Sequence, residues 1–218
     1  MLERLGEFGP DLWRATLETA YMVFASTVFA LSGGFVLSVA MILVHPRGLR
    51  PKRVVYNALD WLVNLGRSFP FTILMISIQP FTRLVAGTTL GNDAAIVSLS
   101  IAAAPLAARL IEGCFLEVDR GVVEAARSFG AGDMQIIWRV LLPEALPAVV
   151  LNIAVIAITL LGYAAMAGTV GGGGLGDFAM KYGYYRFQTD LMLYAVVILI
   201  IMVQLTQTIG GFIYRRLR

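Results

Sequence analysis

Residues 117–147 read EVDRGVVEAARSFGAGDMQIIWRVLLPEALP, and this stretch decides how the rest of the chain is arranged. Glu117, Asp119, Arg120, Glu124, Arg127, Asp133, Arg139 and Glu144 put eight formal charges into it. A charge at the centre of a bilayer costs about 2.5–3.5 kcal/mol on insertion scales, so this segment belongs in water. Asp119 is suited to cap a first short helix that Gly130 ends. Asp133 is suited to cap a second, Met134 to Leu142, stopped by Pro143. The expected product is a helix–turn–helix elbow, too short and too charged to span. Ile136, Ile137, Val140 and Leu141 give it an apolar patch that needs either a partner protein or the underside of its own bundle.

On both sides of the elbow the chain is apolar. Its 218 residues are 58% hydrophobic and 14% charged, with a mean hydropathy of +0.78, against about 25% charged in a soluble domain. A polytopic, all-α membrane protein is expected, with one transmembrane domain over 20–214 and spans near 20–44, 54–81, 94–116, 146–168 and 191–214. Residues 1–19, largely polar and acidic, form an N-terminal segment without the basic start of a cleavable signal peptide. Ser32, Gly33 and Gly34 allow close helix approach in the first span.

The second span is interrupted by Asp60, Asn64, Arg67 and Pro70. Either an amphipathic entry helix lies at the interface, with the true span starting near Leu65, or Arg67 faces a polar path inside the bundle. The first is favoured because an arginine near a helix end can snorkel. Arg109 and Glu112, spaced i,i+3, are expected to neutralise each other at the membrane edge.

Five spans put the termini on opposite sides. With residues 117–145 in the cytoplasm, the inside carries Arg47, Arg50, Lys52, Arg53, Arg109, Arg120, Arg127, Arg139, Arg215, Arg216 and Arg218. The outside then carries only Arg4, Arg14, Arg83, Lys181 and Arg186. The positive-inside rule places the N-terminus out and the basic tail, 215–218, in the cytoplasm.

Several chemistries are set aside. By spacing the elbow mimics a DNA-binding helix-turn-helix, but its second helix offers Arg139 as the lone base-reading cation, so no nucleic-acid partner is expected. Gly171–Gly176 contains a formal GxGxxG, yet it follows a membrane helix rather than a strand; a flexible, close-packed outer loop is expected. There is no GxxxxGK[ST] for ATP. His45 and Cys114, each alone of its kind, offer no metal site or nucleophile–base pair. Spans one, four and five carry no acid, which weighs against an ion-driven carrier.

EAARSFG, then nine residues, then VLLP resembles the EAA signature of bacterial binding-protein-dependent ABC importer permeases, here Glu124, Ala125, Ala126, Gly130, Val140, Leu142 and Pro143. Val140 stands where the pattern has isoleucine. RSFPFTILM, PFTRLVAGTTLG, LLGYAAMAGTVGGGGLGD and YGYYRF are similar to the D,L-methionine permease branch. The resemblance implies the type I permease fold of five spans and a homodimer in the bacterial inner membrane. It implies an elbow that acts as a coupling helix on two separate ATPase subunits, which hold ATP and Mg, and a periplasmic or lipid-anchored methionine-binding protein. It implies no cofactor and no enzymatic activity on this chain. It also suggests Met166 as a thioether contact, against the default of packing, and Gly173 and Gly174 as part of an outer gate. A sister importer for another amino acid or small nutrient would share every elbow residue.

Overall fold

The computed structural model describes residues 2–217, with side chains from Glu7 onward; Arg218 of the basic tail and the Arg4 side chain lie outside that description. Among the described residues the chain is helical and has no strand. Four helices among the described residues are long and apolar enough to cross a membrane, Glu7–Val44, Asn92–Glu117, Asp133–Gly168 and Thr189–Leu217.

Helix α1, Leu2–Val44, takes in the N-terminal segment without a break and runs the length of the bundle. It lies along α5, Asn92–Glu117, with α8, Leu142–Gly168, against both. Met22 and Ala30 of α1, Leu99, Ala103 and Ala107 of α5, and Ile156 and Leu160 of α8 close the core between them. Small residues permit this. A Cβ on Gly34 would stand 2.5 Å from Ala107 Cβ and 2.9 Å from the Ala108 nitrogen, so only glycine lets the two helices come so close. Helix α10, Thr189–Leu217, also packs against α8, and its Leu191 and Ala195 join Leu12 and Ala15 of α1 in a smaller cluster. Its Leu193, Val197, Ile200, Ile201, Leu205 and Ile209 are exposed, the surface a lipid-facing helix presents.

The apolar run expected to cross near 54–81 is not one helix. It forms α2, Arg53–Ser68, α3, Phe71–Ser77, and α4, Gln79–Ala86. Leu65 lies inside α2, so no helix begins there. The break has a local cause: Pro70 forces Phe69 out of the helical region, to φ −74° and ψ 127°. Pro80 lies in the first turn of α4, where its missing N–H costs nothing, two residues beyond the kink at Ile78. The pieces stay docked by specific contacts. Phe71 stacks on Tyr163 of α8, ring centroids 4.8 Å apart. Asp60 of α2 takes the Arg109 guanidinium of α5, which also binds Glu112 at 2.8 Å. The expected Arg109–Glu112 pair is therefore one half of a three-residue bridge, and Glu112 is only 1% exposed within it.

Close packing at Gly34 yields a direct expectation. Gly34→Val should cost about 1–3 kcal/mol through overpacking and lower the thermal midpoint of the detergent-solubilised protein. Gly113→Ala, where an added Cβ meets nothing within 4 Å, should not lower it.

Candidate functional site

Helix α6, Arg120–Ser128, begins at Asp119, whose carboxylate accepts the Gly121 N–H at 2.7 Å. It ends in a Schellman turn. The Ala131 N–H reaches the Ala126 carbonyl at 3.1 Å, and the Gly130 N–H reaches Arg127 at 2.9 Å. Gly130 sits at φ +79°, with nothing near the place a Cβ would occupy. The signature needs glycine there for conformation, not for space.

The chain then turns into α7, Asp133–Ile136, whose N-cap is Gly132 rather than Asp133. The Gln135 side chain accepts the Gly132 N–H at 3.0 Å. Asp133 holds Arg50 of the loop after α1 and lies 4.0 Å from Arg127, which itself donates to the Leu49 carbonyl. Pro143 does not stop the second helix, as its ring was expected to do. A wide-turn segment, Ile137–Leu141, carries α7 directly into α8, and the Leu142 N–H bonds to the Ile137 carbonyl five residues back. The wider turn makes room for the proline ring and absorbs the missing N–H. The second half of the elbow is thus the first part of the helix Asp133–Gly168.

Of the two partners considered for the apolar patch, the bundle's own underside takes it. Ile136, Ile137 and Leu141 are fully buried with Ile111 and Phe115 of α5, Ile42 of α1 and Leu49. Val140, Leu142 and Ala126 pack around them. Glu124, Ala125, Gly130 and Pro143 remain exposed. The signature therefore divides into residues that fasten the elbow and residues that face outward. Sequence reasoning missed Phe129, which is 91% exposed beside them. A large aromatic at the end of a charged helix was the available signal. It also counted Arg50 only as a topological charge.

The other candidate residues lie apart from the elbow. Arg67 is exposed in the last turn of α2. Met166, 46% exposed, lies one turn beyond Tyr163 on α8. Gly173 and Gly174 lie at the opposite end of α1 from Ile42, about 35 Å away at about 1.5 Å per residue. They take φ +81° and +74°, and a Cβ on Gly173 would stand 2.3 Å from Asn92 Oδ1. Glu18 accepts the Gly174 N–H at 3.1 Å and Thr19 the Leu175 N–H at 2.8 Å, so α1 caps α9, Gly174–Phe178. The close packing expected of this loop is present. The expected flexibility is not what its glycines serve, because they are held in left-handed geometry by α1 and α5.

A bundle of apolar helices carrying a water-facing elbow bolted to its base is the architecture of a type I ABC importer permease. The chain belongs to the family described as binding-protein-dependent transport system inner membrane component, whose profile matches residues 34–218. It is 47% identical over 205 residues to a probable D-methionine transport system permease protein of Vibrio cholerae, covering 94% of this chain and 91% of that one. It is 42% identical over 203 residues to a methionine import system permease protein of Bacillus subtilis, covering 93% and 91%. The permease of a methionine ABC transporter in an inward-facing conformation superposes with a TM-score of 0.93 at 41% identity, over 95% of this chain and 96% of that one. An amino acid ABC transporter crystallised with histidines, 16% identical at a TM-score of 0.81, shares the fold.

His45, at the base of α1, links the elbow's surroundings to pH. Its Nδ1 accepts the Arg47 N–H at 2.9 Å, and its ring meets Tyr56 edge-on at 4.7 Å. Burial, then the charges of Arg47, Arg109 and Arg120, push its pKa below the ordinary value. The unfolded chain takes up this proton near pH 6.5, at about the free value, and the folded chain only lower. Stability is thus whole above about pH 6.5 and falls as pH drops from there through the folded value. His45→Gln should flatten that loss in thermal midpoints measured from about pH 8 to 5.

Proposed function

We propose that this chain is the membrane subunit of an ATP-driven methionine importer, for the D and L forms. Two copies form the pathway about a two-fold axis, with the N-termini outside and the C-termini in the cytoplasm. Two ATPase chains carrying ATP and Mg dock beneath the elbows, and a methionine-binding protein delivers the substrate from outside. ATP binding closes the ATPase dimer and draws the elbows together, turning the pathway from inward- to outward-facing. Coupling of this kind requires the ATPase to contact the elbow differently in its two states.

One observation carries the substrate assignment: near-full-length identity of 47% and 42% to permeases whose names state methionine transport. The elbow supports the mechanical part. Its outward side presents Glu124, Ala125 and Phe129, while its inward side is packed into the bundle. A cleft on the ATPase that takes the Phe129 ring and pairs with Glu124 would gain both an apolar anchor and a charge contact. Met166 is the candidate thioether contact in the pathway, Arg67 a candidate pathway cation, and Gly173 and Gly174 belong to the proposed outer gate.

Radiolabelled methionine uptake into proteoliposomes holding permease, ATPase and binding protein should be competed by unlabelled methionine and not by other amino acids. Competition by another amino acid alone would transfer the assignment to a sister importer. Glu124→Lys and Gly130→Asp should abolish uptake while the permease remains folded in the membrane. Phe129→Ala should weaken co-purification of the ATPase by at least tenfold. Normal uptake in the Glu124 and Gly130 variants with the ATPase still attached would sink the coupling role.

A further inference from the structure

Between the loop after α1 and the elbow lies a cavity of about 520 Å3. Its floor is apolar, formed by Ile42, Phe115 and Leu141, part of the cluster that anchors the elbow. Its rim is cationic: Arg47, Arg120 and Arg127 line it against the single carboxylate of Glu124. Arg127 is engaged by Leu49 and lies near Asp133. Arg47 and Arg120 are exposed and, among the described residues, have no carboxylate within 4.0 Å.

We propose that this cavity binds a phosphate group, presented by the headgroup of an anionic phospholipid. Guanidinium groups match phosphate oxygens in geometry and charge. The cavity is lined by residues just past the ends of α1 at Val44 and α5 at Glu117, where two long apolar helices give way to charged loop. A soluble anion has no use for the apolar floor, whereas the glycerol and first acyl carbons of a lipid do. Basic pockets at helix ends are established sites for such headgroups. The bound phosphate would join the loop after α1 to the first turn of α6, two parts of the elbow's mounting that no ion pair otherwise connects at Arg47 and Arg120. The inference rests on the membrane placement proposed above, but not on the substrate.

The test is made on the permease–ATPase complex in nanodiscs, without methionine or nucleotide, so that failure of the transport reading leaves it standing. Retention of phosphatidylglycerol against phosphatidylcholine is read by native mass spectrometry, and binding of inorganic phosphate by calorimetry. Wild type should retain phosphatidylglycerol. Arg47→Gln with Arg120→Gln should weaken retention about thirty-fold, the loss of two cationic contacts at a membrane surface. Arg47→Lys with Arg120→Lys, which keeps the charges, should recover most of it, and Arg83→Gln, remote from the cavity, should behave as wild type. Inorganic phosphate binding that also depends on Arg47 and Arg120, with no lipid preference, would support the phosphate site and assign a soluble source. Retention unaffected by the glutamine pair would overturn the proposal. So would retention seen on the permease alone and lost with the ATPase bound, since the cavity would then belong to that contact.

Discussion

The elbow can act as a mechanical part only because Ile136, Ile137 and Leu141 are buried against Ile111, Phe115 and Ile42. Each such side chain contributes about 1.5–3 kcal/mol relative to exposure. The Arg50–Asp133 pair, with Arg50 74% exposed, belongs to the class worth about 0–1 kcal/mol. Apolar burial therefore fastens the elbow, and the ion pair with the Arg127–Leu49 hydrogen bond sets its register. Because α7 runs without a stop through a wide turn into α8, a force on α6 is delivered to a membrane-crossing helix. A free loop would dissipate it.

The opposite end of the bundle is tied by different means. There the chain uses glycines in left-handed geometry, with Glu18 and Thr19 of α1 satisfying the first amides of α9. Helix α1 thus touches both ends: the glycine loop near Thr19 and the elbow's anchoring cluster at Ile42. Its close contact with α5 at Gly34 makes the pair a strut between them. Motion in such a body is more easily a rotation of the whole than a bending of its parts, since packed cores are bistable and not continuously deformable.

Much of this was legible in the residues. Charge density placed the elbow in water, Asp119 and Gly130 marked the ends of α6, and apolar runs at Ala20, Ala94, Leu146 and Leu191 marked four long helices. Three features were not legible, each for a physical reason. Pro143 carries the ordinary signal for a helix stop, but a wide turn is a tertiary accommodation with no local signature. Pro70 announced a break, yet hydropathy alone could not say that the pieces on either side would be held by Phe71 on Tyr163 and Asp60 on Arg109. Asp133 looked like a cap because its spacing is right. Its actual partner, Arg50, is distant in sequence, and only folding brings the two together.

The most direct test of the elbow as a rigid extension of the bundle is a pair of spin-label distances in the reconstituted importer. One pair, at Ser128 and Lys52 of the same chain, spans the elbow and its mounting. The other joins the Ser128 positions of two copies. On ATP binding the account predicts an unchanged Ser128–Lys52 distance and a shortened distance between the two elbows. A change within the chain, with the elbow swinging against a still bundle, would contradict it.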